Sequence, residues 1–370
     1  MRKKLLALAT AGLLATTTMT ACDDSDQTSN ANGGSDSGGG SGKARVGVIL
    51  PDTKSSTRWG NDDPKYLKQA FDAAGVPADI VNAQGDRANF VKIGTDMVNS
   101  GVKVLIIANL DSDTGKEVLD KAKAKKIPTI DYDRLTLNGG ADYYVSFKNE
   151  DVGKLQASGL IGCLKAKGAV NPVVAELNGS PTDNNATLFK AGYDSYLDLK
   201  YDSAEFTKGP DQSVPDWDNE EGGKIFEQMI DQQPKIAGVL AANDGLAGAV
   251  IKVLQKRGLA GKVPVTGQDA TVEGLQAVMS GQQCVTIYKP LQPEAQTAAN
   301  LAVKLFKGEK PVVGTQLKDP ESGAYVPFVG LDPQQIGPAQ VKEVVADKFV
   351  AKKDLCAGKY AALCAQYGVK

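Results

Sequence analysis

Residues 236–270, IAGVLAANDGLAGAVIKVLQKRGLAGKVPVTGQDA, hold the alternation that decides the fold. Ile236–Ala242 is an apolar run of strand length, Leu246–Arg257 reads as a helix, and Val263–Gly267 is a second β-branched run. A strand, a covering helix and another strand make the unit of a parallel sheet buried on both faces, so the class is α/β. Polar pairs follow each strand at once: Asn243-Asp244 after the first, Gln268-Asp269 after the second. In open α/β sheets ligands sit beyond the carboxyl ends of the strands, which makes such residues the ones to inspect.

The unit recurs in both directions. Upstream, strands are expected at Ala44–Leu50, Ala78–Val81, Val102–Ala108 and Pro128–Tyr132. Helices fall between them: one after Pro64, ended by Gly75, one near Asp86–Asn99, and one near Gly115–Lys125. A second series runs from Tyr143–Phe147 through helix Asp151–Lys165, strand Val173–Leu177, and helices Asn185–Leu197 and Gly222–Gln232. It passes through the quoted stretch to helix Val272–Ser280 and strand Val285–Tyr288. Helix Glu294–Phe306 and a strand near Val326–Val329 come last, and periodicity does not say which series they join. Two doubly wound domains suit a chain of 370 residues.

With 42 Lys and Arg against 44 Asp and Glu there is no basic field to hold a phosphate backbone, so nucleic acid is not an expected partner. Histidine is absent, which removes Ser-His-Asp and Cys-His nucleophiles and His-ligated metals. No cofactor or metal is expected. At the amino end, Arg2-Lys3-Lys4, the apolar run Leu5–Leu14 and the small residues before Cys22 have the layout of an export signal. The Thr20-Ala21-Cys22 ending resembles a bacterial lipoprotein cleavage box, implying that residues 1–22 are a signal segment and that Cys22 carries lipid. Residues 23–43, rich in Gly, Ser and Asp, are expected to be a flexible tether to the membrane. Of the other cysteines, Cys356 and Cys364 are close enough to close a short loop, leaving Cys163 with Cys284. An even number in an exported chain suggests two disulfides, with three pairings open in principle.

The residues after the strands include Asp52, Asp133-Arg134, Asp183-Asn184-Asn185, Asn243-Asp244, Gln268-Asp269 and Lys289. They combine fixed donor forks, carboxylate acceptors and side-chain amides, without a Gly-rich phosphate cradle, and so can satisfy both sides of several hydroxyls. A sugar is the partner this chemistry suits. Its apolar ring face would stack on an indole, and Trp59 and Trp217, both expected in loops, are the only two tryptophans.

Asp131-Tyr132-Asp133-Arg134, Tyr143-Tyr144-Val145-Ser146-Phe147, Gly179-Ser180-Pro181-Thr182-Asp183-Asn184-Asn185, Ala242-Asn243-Asp244, Gly267-Gln268-Asp269 and Tyr288-Lys289-Pro290 come in the order and spacing of the xylose-binding proteins. Over roughly residues 44–345 the chain resembles these extracytoplasmic sugar receptors of ABC importers, of the ribose-binding type. The resemblance implies two doubly wound lobes joined by three crossovers. It assigns residues 44–148 and about 291–324 to the first lobe and 149–290 and about 325–350 to the second. Residues 351–370 would be an extension. It further implies a monosaccharide site made of Arg58, Trp59, Arg134, Asp183, Asn184, Asn185, Trp217, Asn243, Asp269 and Lys289, a monomer, permease subunits as partners, and a site outside the cytoplasm. The segment from Pro51 to Thr57 departs from the acidic loop of the xylose binders, so the sugar is left open between xylose and another pentose or hexose.

Other readings fit less well. A regulator's effector domain would need a DNA-reading helix-turn-helix where this chain has an export signal. Asp113-Thr114-Gly115-Lys116-Glu117 fails as a phosphate loop, with Leu110 in place of the first Gly and Glu117 in place of Ser or Thr. Asp183 and Asp269 could form a glycosidase pair, but Arg134 and Lys289 nearby would keep both ionised. A receptor of the same fold feeding a sensor would share every feature above.

Overall fold

The computed structural model describes residues 44–370; the expected signal segment, tether and Cys22 lie outside the described residues. The first series is β1 (Val46–Leu50), α1 (Arg58–Ala74), β2 (Ala78–Asn82), α2 (Arg87–Asn99), β3 (Val104–Ile107), α3 (Ser112–Ala124), β4 (Thr129–Tyr132) and β5 (Tyr143–Phe147). The second is α4 (Asn149–Ala166), β6 (Val173–Asn178), α5 (Asn184–Asp202), β7 (Thr207–Ser213), α6 (Asn219–Gln232), β8 (Ile236–Ala241), α7 (Asp244–Lys256), α8 (Val272–Met279) and β9 (Thr286–Tyr288). The chain ends with α9 (Leu291–Phe306), β10 (Gln316–Lys318), β11 (Tyr325–Leu331), β12 (Gln334–Ile336), α10 (Val341–Ala346), α11 (Lys352–Leu355) and α12 (Ala361–Gln366).

The first lobe is a seven-stranded sheet in the order β10-β11-β5-β4-β3-β1-β2, parallel except for β10 against β11. Alternate residues of its strands feed two cores. Val46, Val48 and Leu50 pack with Leu67 and Phe71 of α1 and with Ala295 and Ala299 of α9, while Ile49, Leu105 and Ile107 meet Phe90 of α2 and Val118 of α3. This period-two division is what a sheet covered on both faces requires. The second lobe is β7-β6-β8, extended towards β9 and β12 by parallel bridges. Val263–Gly267, expected as a strand, keeps ladder hydrogen bonds from Val239 to Pro264 and from Gly267 to Val285 but forms only isolated bridges. Pro264 has no N–H to give.

Three passages join the lobes: Phe147 into α4, Tyr288 into α9, and β11 into β12. The last corrects the expected division. Residues 325–331 do not belong to the second lobe, because β11 is paired in parallel with β5 of the first sheet, Phe328 opposite Tyr144 and Leu331 opposite Phe147. Only from β12, antiparallel to β9, does the chain return. The strand's amphipathic pattern is the same on either sheet; partner and register, which decide, are tertiary. Residues 351–370 are also less separate than expected, since Leu355, Cys364 and Val369 share a core with Leu275 and Val278 of α8 and Tyr288 of β9. The two disulfides join Cys163 to Cys284 and Cys356 to Cys364, with Cα atoms 6.4 Å and 5.8 Å apart.

Helix α1 starts at Arg58, well before Pro64, which the helix accommodates inside it. Proline marked the expected start because it lacks a donor and is tolerated best in a first turn. Trp59 is therefore on a helix and not in a loop. Two features of the second lobe set its packing. β7 is largely exposed and polar, which is why its sequence carried no strand signal. Helices α4 and α5 approach through glycine: a Cβ at Gly153 would lie 2.0 Å from the Phe189 carbonyl oxygen, and one at Gly192 would lie 2.1 Å from that of Glu150. Backbone cannot yield there as a side chain tip can. Gly153→Val is expected to destabilise the protein by about 3 kcal/mol through forced separation of these helices. Urea unfolding measures it, and a variant as stable as the parent would contradict the close approach.

Candidate functional site

The site is assembled by helix caps. Asp183 precedes α5 and its Oδ1 accepts from Asn185 N at 2.9 Å; Asn243 precedes α7 and its Oδ1 accepts from Leu246 N at 2.8 Å. Capping satisfies an orphan N–H of each helix and fixes the rotamer of the capping residue. The remaining atoms of each cap then point past the strand ends. Asp183 Oδ2 accepts from Trp217 Nε1 and pairs with Arg134 Nε, both at 3.1 Å. Asn243 Nδ2 faces the Ser55 carbonyl oxygen at 3.4 Å.

Arg58, Trp59, Arg134, Asp183, Asn185, Trp217, Asn243, Asp269 and Lys289 all line one small cavity between the lobes. Asn184, expected among them, is buried but does not line it. It is the first residue of α5, and Asp183 and Asn185 on either side take the two inward directions. Ser55, Ser56, Asp133, Phe189 and Gln268 also line the cavity and were not among the expected site residues. Asp133 and Gln268 stood in the polar runs after strands; Phe189 had no signal, since an aromatic one turn into a helix reads as core.

Arg58 is the centre of the first-lobe wall. Its Nε and Nη2 donate to Asp63 at 2.8 and 2.7 Å, Nη2 also to Glu294 at 2.6 Å, and Nη1 to Asp133 at 2.6 Å. Four of the guanidinium's five donors are thus taken by protein carboxylates. Its carbon lies 4.2 Å from the Trp59 ring centroid, and that of Arg134 lies 5.4 Å away. Burial alone would push the Asp133 carboxyl up, but Arg58, Lys289 and Arg134 outweigh it and hold that group below the usual carboxylate range. Glu294 goes the other way: burial holds it well above its ordinary value, against Arg58 and reinforced by Asp133 and Asp63.

The lobes touch through this cavity. Asn185 Nδ2 donates to the Asp133 carbonyl oxygen and Oδ1 at 3.0 and 3.1 Å, and the Ser56 hydroxyl reaches Asp269 Oδ2 at 3.2 Å. Lys289, at the second crossover, pairs with Asp269 Oδ1 at 3.2 Å, its Nζ 5.7 and 5.8 Å from the rings of Phe147 and Phe189. Trp217 lies over Gly179, where a Cβ would come within 2.0 Å of the indole, and it meets Phe189 edge-on at 6.4 Å. Three cations and three carboxylates line the cavity, so it is balanced for a neutral ligand rather than an ion. Gln268 Oε1 is buried with no hydrogen-bond partner among the described residues. The space itself measures about 30 Å³, room for about one water.

Residues 46–310 match the family described as a periplasmic binding protein domain. The chain belongs to the periplasmic binding protein family. This binding protein is 33% identical over 315 residues to the D-xylose-binding periplasmic protein of Escherichia coli, covering 85% of its own length and 93% of that relative. It is 32% identical to the multiple sugar-binding periplasmic receptor of Rhizobium radiobacter, covering 84% and 92%. Among solved structures it is similar to a solute-binding protein of an ABC transporter from Clostridium phytofermentans with bound β-D-glucose. That similarity has a TM-score of 0.77 at 26% identity, over 84% of this chain and 99% of that one. Among the described residues no cluster of Cys, Asp or Glu could hold a metal ion, and no helix is long and apolar enough to cross a membrane.

Two buried carboxyls of the binding protein shape its response to pH. Burial pushes Asp131 up to about 7, with Asp319 adding to it and Thr136 opposing through its N–H and hydroxyl. Burial likewise pushes Asp244 up to about 7, against a bond from Gln283 and with the charge of Asp269 adding. Both lie above the ordinary value of 3.8, so the folded chain holds protons that the unfolded chain has released between those limits. These groups favour folding at low pH, and their contribution is lost as pH rises through about 7. Urea midpoints are expected to be higher at pH 5 than at pH 8; an equal or higher midpoint at pH 8 would show that both carboxyls ionise without cost.

Proposed function

We propose that this chain is the substrate-binding subunit of an ABC sugar importer, taking one monosaccharide between its lobes and handing it to a permease. The reading rests on one observation above others: a charge-balanced cavity, walled by both lobes, whose lining combines fixed donors, acceptors and two indoles. A neutral polyhydroxylated ring can exchange its water for such groups without leaving a charge unpaired. Arg134, Asn185, Asn243, Asp269 and Lys289 would bind hydroxyls, with Asp133 and Asp183 as further acceptors. Trp59 and Trp217 would face the apolar side of the ring. Arg58, with one donor left, would chiefly hold Asp133 and the Trp59 face in place. D-xylose is the first ligand to try, because relatives across most of the chain carry it in their names, and glucose is the second.

Closure would be the signal. A ligand bridging groups of both lobes binds the closed form better and shifts the population towards it, and the permease would read the paired lobe surfaces. The protein breaks no bond in this scheme: Asp183 and Asp269, the carboxylates a glycosidase would need, are each committed to an ion pair. Lipid on Cys22 and the tether of residues 23–43 would keep a monomer at the outer face of the membrane. Cells fed radiolabelled palmitate should label the parent chain and not Cys22→Ala; equal labelling of the variant would refute lipid on Cys22.

Both tryptophans of the chain line the cavity, so binding should be visible in intrinsic fluorescence without any label. Titration with xylose should change the emission saturably. Asp269→Ala should weaken affinity on the order of 100-fold by calorimetry, because it removes a charged acceptor and leaves Lys289 and Ser56 unpaired. Unaltered affinity would place the sugar elsewhere, and no binding of any aldose would end the reading.

A further inference from the structure

The loop that carries Asp269 runs through two consecutive left-handed residues, Asp269 at φ 102° and Ala270 at φ 49°. Neither is glycine, so the surrounding structure must hold the backbone there. The restraints converge on one side chain. Asp244, the first residue of α7, is buried, and its own N–H donates to the Gln268 carbonyl oxygen at 2.9 Å. Its Oδ2 accepts from the Thr271 N–H at 2.9 Å and from the Thr271 hydroxyl at 3.2 Å. Its Oδ1 accepts from Gln283 Nε2 and from the Thr286 hydroxyl, both at 2.8 Å. The same Thr286 oxygen accepts from Ala270 N at 3.1 Å, so the carboxylate grips the turn both directly and through Thr286.

Space for this carboxylate is left by two glycines. A Cβ at Gly274 would stand 2.0 Å from Asp244 Oδ2, and one at Gly267 would stand 2.2 Å from Oδ1. Asp269 lines the small cavity between the lobes and Asp244 does not. We propose that Asp244 is a positioning residue, whose carboxylate clamps the Gln268–Thr271 turn so that Asp269 is presented to the ligand. It acts on the ligand only through Asp269. In its binding readout the inference rests on the sugar-binding reading above.

A double-mutant cycle on the purified chain separates positioning from general support, because only a residue acting through Asp269 loses its effect when Asp269 is altered. By xylose calorimetry, Asp244→Asn should weaken affinity about tenfold in the parent and less than about twofold in the Asp269→Asn background. An equal loss in both backgrounds, or no loss in the parent, overturns the proposal. Should Asp244→Asn not fold, Thr286→Val carries the same test. It leaves Asp244 in place, removes the bridge to Ala270, and is expected to show the same non-additivity with a smaller loss. Amide exchange gives a readout that needs no ligand: in either variant the Ala270 and Thr271 amides should exchange faster while those of β8 keep their rates. If the parent binds no monosaccharide, the sugar reading fails and exchange alone decides the clamp, with unchanged rates at Ala270 and Thr271 overturning it.

Discussion

A guanidinium buried among three carboxylates is the constraint from which the cavity is built. Removing a cation from water costs several kcal/mol, repaid only when its donors find well-placed acceptors. Arg58 meets that condition with Asp63, Asp133 and Glu294, drawn from α1, the end of β4 and α9. The three elements are far apart in sequence, and the shared cation sets their mutual placement. Asp133, once held by Arg58, receives Asn185 from the other lobe, so the same charge that orders the first wall also offers the second its point of contact.

Around this centre the protein accepts local strain where the cavity needs side chains turned inward. Asp133, Asp216, Trp217, Asp269 and Ala270 all have positive φ without being glycine. Such residues cost on the order of 1–3 kcal/mol each and persist where neighbours over-determine them. Each has identifiable holders. Tyr144 and Ser146 hydroxyls donate to the Asp133 carbonyl oxygen, the Ser180 hydroxyl accepts from Asp216 N, and Asp183 accepts from the Trp217 indole. The strained residues follow strands β4 and β7 and the Val263–Gly267 run, at the edge where an α/β sheet offers its loops.

Much of this was legible from residue order. The β-α alternation gave the class, and the polar runs after strands contained eight of the fourteen cavity-lining residues, because capping and ligand contact draw on the same short polar side chains. Elements without an apolar pattern escaped: β7 is polar and exposed, and β10 is three residues at a sheet edge. The start of α1 was misplaced because Pro64 imitates a first turn. Asn184 was indistinguishable from its neighbours in a run of three polar residues until the helix gave each a direction.

Sequence by itself determined the class, the positions of most strands and helices, the polar character of the loops and the pairing open to the cysteines, since these depend on contacts between residues near in the chain. Only tertiary structure decided that β11 joins the first sheet, that the last twenty residues cover α8, and that Arg58 is spent mostly on carboxylates of its own lobe. Register and the matching of buried charges depend on which surfaces meet, and no local pattern encodes that choice.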